Sequence, residues 1–510
     1  MSSSSRHPLI TGAAVLTTAG IVTRLIGFFY KIFLSHAIGA EGLGIYQLVF
    51  PVYAFCFSLV VAGVQTGISR CCAAALAEQN PAKARTYFSS GLTFSFLLSL
   101  AAAFILYRRA GFLSSSLLKE TRCEPLLRLI ALCIPLGTIH TCASAWYFSK
   151  NHTAIPAFSQ LLEQIVRVMT SYIVYRIFLE NGWKPSPILA VAGVLAGEMV
   201  SALFTGICIL YHFQGREYRG PRYFSRLQCG KELVLLSLPL TANRLLLTLM
   251  QSAESIMIPG RLKLSGLSAS QALSIYGILT GMAMPFILFP SAITNSVSTV
   301  LLPVIAGEQA KGNSQKILEA TENTIKYCLL LGIFAAGIFF FFGKPLGTMI
   351  YGNEDAGTFI RILSFLCPFL YLTGTLSSIL NGLGHTGLCF LQNAAGLSIR
   401  ILFVIIFVPR FGITGYLWGI LVSQLIITIL NICFVHSKVN FSFCAFEWMV
   451  LPAAALTVSC SAGIALFRLL FRFTALPGLI ALLLGLACCG ICYLGCLFFT
   501  GLLDFGKIKK

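Results

Sequence analysis

Ionisable side chains lie inside stretches of this sequence that are otherwise apolar, and the first such stretch carries two cations. Arg24 and Lys31 are spaced so that a helix presents both on one face. A charge at the centre of a bilayer costs about 2.5–3.5 kcal/mol on insertion scales, so its presence there indicates a function. Two cations facing a cavity would attract a pyrophosphate, which an Arg can bind through parallel hydrogen bonds. The structural alternatives are an Arg24 that caps or pairs between helices and a Lys31 that extends to the membrane surface.

A second polar stripe occurs near the middle of the chain. At helical spacing on an apolar background, it comprises Asn243, Arg244, Gln251 and Glu254. We expect Glu254 to contact Arg24 and close one side of the protein until a pyrophosphate competes for Arg24. A protonatable Glu254 would also allow transport to be coupled to protons. A static salt bridge between helices is the alternative, because charged pairs are a common way to tolerate burial.

A third stripe precedes the middle of the chain. It comprises Gln160, Glu163, Gln164 and Arg167, at positions i, i+3, i+4 and i+7. Glu163 and Arg167 can therefore pair along one helix. Arg400 lies 233 residues after Arg167 and has a glycine where Glu163 would be, so it lacks that local partner. Arg400 is a further candidate for the cavity, whereas Glu198 stands alone in its apolar run and is expected to line the cavity or to be paired.

The elements that must position these residues are membrane-spanning helices. Of the 510 residues, 57% are hydrophobic and 10% are charged, and the mean hydropathy is +0.85. Apolar runs of about 20 residues recur along the whole chain, and each can cross a hydrocarbon core of about 30 Å. They are continuous rather than alternating, which favours helices over barrel strands. The sequence predicts an all-α polytopic membrane protein with about fourteen transmembrane helices in the lipid bilayer.

The chain has 36 Lys and Arg residues against 17 Asp and Glu, a net charge of +19. The basic residues lie mostly in short connectors, which indicates positive-inside anchoring rather than nucleic-acid binding. An even number of helices and the basic connector at 216–231 place both termini in the cytoplasm. The 18 Cys residues are scattered through apolar runs without metal-ligand spacing. Neither a metal nor a cofactor is predicted.

An internal repeat divides the chain. At an offset of 230, Ile45-Tyr46 matches Ile275-Tyr276, and Arg24 falls on Glu254; at an offset of 233, Arg167 falls on Arg400. We predict an N-lobe at 1–215, a basic cytoplasmic connector at 216–231, a C-lobe at 232–440, and two further helices with a basic tail at 441–510. Each lobe would have six helices, so the repeats are parallel and the substrate is expected between them.

The opening of the chain carries a family resemblance. Thr23-Arg24-Leu-Ile-Gly27-Phe28-Phe-Tyr30-Lys31-Ile32, then Ile38-Gly39-Ala-Glu-Gly42-Leu-Gly44-Ile45-Tyr46-Gln47 and Pro51, resembles the stage V sporulation protein B-like and lipid II flippases of the multidrug/oligosaccharidyl-lipid/polysaccharide exporter superfamily. The resemblance implies a V-shaped bundle of two lobes with a central cavity, in the bacterial plasma membrane. It also implies transport of an undecaprenyl-pyrophosphate-linked saccharide to the outer leaflet. The uncharged stretch after Pro51 favours the sporulation or polysaccharide branch over general lipid II export.

Other classes of function compete with this interpretation. A multidrug and toxin extrusion antiporter would share the two lobes, but the first helix of this chain has cations and no carboxylate before Glu41. A membrane glycosyltransferase or ligase would need paired acid and base groups on sizeable loops, whereas the connectors here are short. We therefore predict a transporter and no enzyme. A flippase-derived scaffold without transport remains open, as does coupling to protons or to the membrane potential.

Overall fold

The computed structural model describes residues 6–215, 225–473 and 476–502. Within these ranges the chain is helical and has no β-strand. The first α-helices are α1 (Arg6–Ala77), α2 (Pro81–Phe112), α3 (Glu124–Ala131), α4 (Cys133–Ser149), α5 (Ala154–Glu180), α6 (Ile188–His212), α7 (Arg226–Leu264), α8 (Ala269–Gly277) and α9 (Met284–Leu288). The later ones are α10 (Ser291–Ala310), α11 (Ser314–Tyr351), α12 (Glu354–Leu363), α13 (Cys367–Gly382), α14 (Thr386–Ile406), α15 (Val408–Phe411), α16 (Ile413–Val439), α17 (Leu451–Phe473) and α18 (Gly478–Phe499). The short π-helical and 3₁₀ turns are Leu113–Leu117, Thr121–Cys123, Ile278–Ala283, Ser364–Leu366 and Phe446–Val450.

Twelve helical segments of the described chain are long and apolar enough to cross a membrane. One of them, Val15–Ala77, has 63 residues. At 1.5 Å per residue it rises about 95 Å, roughly three times the hydrocarbon core. The segment is interrupted at Gly39, whose φ of 69° is left-handed, so α1 has the length for two passes. The all-α polytopic fold is confirmed, and the number fourteen stays a prediction.

Local structure recurs at the spacing of the internal repeat. Residues with positive φ end helices at Gln79, Lys119 and Asn151, and again 233 positions later at Gly312, Gly352 and Gly384. Glycine adopts this conformation without the steric cost that a side chain carries. Asn80 and Asn313 cap α2 and α11 in the same way, because each side chain accepts a hydrogen bond from the amide three residues on. Turns and caps thus follow the repeat even where the residue types differ.

The chain forms two compact units, residues 1–277 and 278–510. The first unit includes α7, which packs along the second part of α1: the Ser252 hydroxyl donates a hydrogen bond to the Pro51 carbonyl at 2.9 Å. A Cβ on Gly63 would lie 2.0 Å from the Thr241 hydroxyl, so the two backbones approach closely. The predicted lobes at 1–215 and 232–440 stay a prediction. Most of the predicted basic connector and the basic tail lie outside the described residues.

Candidate functional site

The polar stripe of α5 forms an ion pair within its own helix. The Arg167 guanidinium donates a hydrogen bond to the Glu163 carboxylate, one turn away. The side chains are only 21% and 14% exposed, so the pair is largely buried. The pairing that the i, i+4 spacing predicted is confirmed. A cavity role for these two residues stays a prediction.

Two side chains from neighbouring helices join this pair. His140 of α4 places its Nδ1 atom 3.9 Å from Glu163 Oε2. Glu198 of α6 completes the group, and one ligating atom from each of His140, Glu163 and Glu198 lies within 4.8 Å of the others. We call His140, Glu163, Arg167 and Glu198 the buried polar cluster.

Glycines allow α6 to approach α5 at this point. A Cβ on Gly193 would lie 2.6 Å from the Arg167 carbonyl, and one on Gly197 would lie 2.7 Å from the Glu163 carbonyl. Small residues at helix interfaces let backbones come together in membranes. The Glu198 side chain, next to Gly197 in the sequence, is thereby held close to the α5 ion pair.

Glu198 is the most buried acid of this cluster. It is 9% exposed, and its Oε2 atom has no hydrogen-bond partner among the described residues. That atom faces α4, since a Cβ on Gly137 would lie 3.1 Å from it. The Tyr53 side chain of α1 is near the same carboxylate. A buried polar atom without a partner is costly, so this oxygen is poised to take a proton or a ligand.

The cationic face of α1 adjoins α5. Gly27 lies between Arg24 and Lys31 on that face, and a Cβ at this glycine would lie 3.2 Å from Gln164 Nε2. Arg24 is exposed and Lys31 is half-buried. Neither forms an ion pair with any described residue. The structure therefore brings two uncompensated cations alongside the helix that carries Glu163 and Arg167.

The polar stripe of α7 is divided between exposed and buried positions. Asn243, Arg244 and Gln251 are exposed, whereas Glu254 is only 4% exposed. Glu254 is near Tyr276 of α8 and is not ion-paired with Arg24. The contact expected between Arg24 and Glu254 is thus not formed in this conformation, and a gate made by these two residues stays a hypothesis.

Arg400 belongs to the second unit and is half-buried on α14. The glycine that replaces Glu163 in this half, Gly396, is in tight contact with α16: a Cβ there would lie 2.1 Å from Ile427 Cδ1. A side chain at this position would displace the end of the Ile427 side chain.

Sequence reasoning missed His140 and left Glu198 open. A single histidine inside an apolar helix is expensive in a membrane, which was the available signal. One imidazole and two carboxylates are donors that a first-row transition metal accepts. The Arg167 guanidinium, however, is already hydrogen-bonded to the Glu163 carboxylate. Its positive charge would repel a divalent ion bound beside it. These three side chains therefore suit a proton or a monovalent cation better than a divalent ion.

Comparisons with known proteins agree with this architecture. The family described as polysaccharide biosynthesis protein matches residues 9–309, and the MatE family matches residues 239–406. Stage V sporulation protein B of Bacillus subtilis (strain 168) is 28% identical over 437 residues, which cover 84% of this chain and 83% of that protein.

Two solved structures show the same fold. The lipid II flippase MurJ in an inward closed conformation has a TM-score of 0.71 at 16% identity, covering 96% of this chain and 100% of that chain. An inward-facing multidrug resistance MATE family transporter has a TM-score of 0.66 at 15% identity, covering 84% and 98%. At these identities the likeness extends to the fold alone.

Proposed function

The chain belongs to the polysaccharide biosynthesis protein family of the multidrug/oligosaccharidyl-lipid/polysaccharide exporter superfamily, and from this premise we propose that it moves an undecaprenyl-pyrophosphate-linked saccharide from the inner to the outer leaflet. The movement would take place in the bacterial plasma membrane, with both termini in the cytoplasm. Rocking of one lobe against the other would provide alternating access. Synthesis of the spore cortex or another envelope polysaccharide would use the product.

The observation that carries this proposal is the cationic face of α1. Arg24 and Lys31 have no ion-pair partner among the described residues, although they lie in a membrane-spanning helix. An unpaired cation in such a helix is costly unless a ligand or water compensates it. A pyrophosphate supplies the charge and oxygen geometry that a guanidinium binds. The saccharide need not contact these residues, because the lipid-linked phosphates are common to all such substrates.

A cation antiporter of the multidrug and toxin extrusion type is the second candidate. The MatE match at 239–406 and the buried acids Glu198 and Glu254 favour it. A cationic substrate would be repelled by the uncompensated charges of α1, however. We therefore place the antiporter second. A membrane-embedded polyprenyl-sugar transferase finds less support, because the described acids do not converge on a large external loop.

The test is transport of a fluorescent undecaprenyl-pyrophosphate saccharide across vesicles that contain the full chain. The substrate is loaded on one side and its appearance on the other is followed. Loss of a hydrogen bond to a charged group is worth about 1.5–3 kcal/mol, so Arg24→Ala should slow transport about tenfold to a hundredfold. Arg176→Ala is the matched control, because Arg176 is exposed on α5 and pairs with Glu180.

Two outcomes would contradict the proposal. Equal transport by wild type and Arg24→Ala, with both proteins inserted and folded, would remove the cationic face from the mechanism. Movement of a cationic dye but not of the lipid-linked saccharide by the wild type would establish the antiporter instead.

A further inference from the structure

The buried polar cluster holds more negative than positive charge. Its two carboxylates, Glu163 and Glu198, face one guanidinium, that of Arg167. With His140 neutral and both acids ionised, the cluster has a net negative charge. Burial makes such an imbalance costly, because little solvent is available to compensate it. One added positive charge would neutralise the cluster.

Two atoms of the cluster lack hydrogen-bond partners among the described residues. They are Glu198 Oε2 and Arg167 Nε, and both are shielded from solvent. A proton on Glu198 would turn an unsatisfied acceptor into a donor, and the nearby His140 and Glu163 offer acceptors. Arg167 Nε is a donor that has no acceptor among the described residues. The cluster therefore has one acceptor oxygen and one N–H donor that no described residue satisfies.

The surroundings of Glu198 contain few other groups that titrate. From α1 comes Tyr53, and from α4 come Cys133 and His140. From α5 come Glu163 and Arg167. The charged residues of α3, Glu124 and Arg128, pair with each other at 2.5 Å and are 35% and 50% exposed. The charge of the cluster is thus set by its own acids and by His140.

Arg167 lies next to the face of α1 that carries Arg24 and Lys31. The Tyr30 hydroxyl is 2.8 Å from Ser171 Oγ, one turn beyond Arg167 on α5, and Gln164 abuts Gly27 one turn before it. An anion held by α1 would therefore be close to Arg167. Glu163 competes with it, because it already accepts a hydrogen bond from this guanidinium.

We propose that the buried polar cluster is a proton-controlled anion site, in which one proton bound by the Glu163 and Glu198 carboxylates frees Arg167 to bind a phosphate group of the substrate. A proton from solvent adds to a carboxylate oxygen, the Glu163–Arg167 pair weakens, and the guanidinium turns its free donors to the phosphate. Proton and anion then bind cooperatively, each raising the affinity for the other. This deepens the proposed function and rests on it for the identity of the anion.

The sign of this coupling separates it from cation exchange. In a cation antiporter the proton and the substrate compete for the same carboxylates, so acid weakens substrate binding. In the proton-controlled anion site, acid strengthens substrate binding. Glu163 and Glu198 could bind a proton in either scheme. Arg167 favours the second scheme, because a guanidinium binds anions and repels cations.

The experiment measures binding of a short-chain polyprenyl pyrophosphate to the full chain in nanodiscs as a function of pH. The wild type should bind more tightly in acid, by up to about tenfold per pH unit, the limit for one linked proton. Glu198→Gln and Glu163→Gln should bind at alkaline pH as tightly as the wild type binds in acid. Because wild type and variants are compared with one probe, titration of the probe itself cancels. Glu180→Gln, an exposed acid of α5, is the control and should follow the wild type.

Protonation of the cluster can also be measured without any ligand. An infrared difference spectrum of the full chain on acidification should show the carbonyl band of a carboxylic acid in an apolar site, and Glu198→Gln should lose it. This band does not depend on the identity of the anion. Its absence would therefore contradict the proton site without contradicting the proposed function.

Three results would overturn the inference. One is pH-dependent binding that is the same in wild type and both variants. Another is tighter binding of the pyrophosphate at alkaline pH. The third is thermal stabilisation of the wild type by Na⁺, Mn²⁺ or Zn²⁺ that His140→Gln abolishes, which would make the cluster a metal site. Where the variants melt well below the wild type, the infrared spectrum of the wild-type chain decides, because the lack of a carboxylic acid band over the pH range in which binding changes would also overturn the inference.

Discussion

The buried polar cluster of the first unit lies on helices that have counterparts in the second unit. The residues at the equivalent positions are ionisable in the first unit and mostly neutral in the second. At an offset of 233 residues, His140 and Glu163 correspond to Thr373 and Gly396. In the second unit the hydroxyls of Thr373 and Thr428 are 2.8 Å apart, and the Gln424 amide donates to Thr373 at 2.7 Å. That neutral cluster is satisfied by its own members, whereas Glu198 Oε2 in the first unit is not. The comparison indicates that the second unit has neutral residues at the positions of His140 and Glu163.

Helix packing differs at the same place. The glycine that lets two helices approach is Gly197 on α6 in the first unit and Gly396 on α14 in the second. At the offset of 233 residues, Glu163 of the first unit occupies the position of Gly396. Gly197 thus packs against the backbone of Glu163, whereas Gly396 packs against the side chain of Ile427.

The largest effect is expected on removing the acid that Arg167 pairs with. Glu163→Ala would leave a buried guanidinium without its carboxylate, which costs about 3–5 kcal/mol of unfolding free energy. Denaturation of the purified protein in detergent measures it. Glu180→Ala on the same helix breaks a solvent-exposed pair and should cost less than about 1 kcal/mol. Similar losses in the two variants would contradict the burial of the cluster.

A smaller loss of stability is expected from adding a side chain at Gly197, where α6 packs against α5. Gly197→Val would place side-chain atoms where the Glu163 carbonyl now lies, and overpacking costs about 1–3 kcal/mol. The loss of thermal stability measures it. Gly206→Val on the same helix is the control, because nothing lies within 4 Å of a Cβ at that position. If the two substitutions were equally tolerated, the close approach of α5 and α6 would be disproved.

A still smaller loss of stability is expected on substitution in the neutral cluster of the second unit, formed by Thr373, Gln424 and Thr428. Thr428→Val removes a hydroxyl that is hydrogen-bonded to Thr373, and a neutral hydrogen bond contributes about 0.5–1.5 kcal/mol. Binding of the polyprenyl pyrophosphate should keep the wild-type pH dependence, in contrast to Glu198→Gln. A loss of pH dependence in Thr428→Val would show that the second unit also takes part in proton binding.

The smallest effect concerns two caps that precede α3 and α12. Glu120 accepts a hydrogen bond from the Arg122 amide, and Asn353, 233 positions later, accepts one from the Ala356 amide. The hydrogen bond from the Arg122 side chain holds the pKa of the Glu120 carboxyl below its ordinary value. The contribution of Glu120 to stability is therefore complete above the pKa of the unfolded chain and is lost as the pH falls through the folded value.

Melting temperatures at neutral pH and below about pH 4 measure this contribution. Glu120→Asn should remove a pH-dependent stabilisation of less than about 1 kcal/mol, because Arg122 is partly exposed. Asn353→Glu should introduce a pH-dependent stabilisation of the same sign in the second unit. An unchanged pH profile in Glu120→Asn would contradict the charged cap.

Several features followed from the sequence because they depend on neighbours along the chain. The i, i+4 pair of Glu163 and Arg167 formed as expected, since one helical turn brings the two side chains together whatever surrounds them. The apolar runs likewise became helices, because a backbone in lipid must satisfy its own hydrogen bonds. The exposed cationic face of α1 follows from the spacing of Arg24 and Lys31.

Other features needed the packing of separate helices. His140, Glu163 and Glu198 come from three helices, and their meeting depends on the rotation of each helix about its axis and on glycines that set the distances between the axes. The missing contact between Arg24 and Glu254 has the same origin, because the repeat aligns residues in sequence without fixing which faces meet. The sequence by itself thus determined the helices, their polar stripes and the local ion pair. Only the tertiary structure decided which charges share a buried site, since the pairing of charges across helices is governed by three-dimensional packing and not by spacing along the chain.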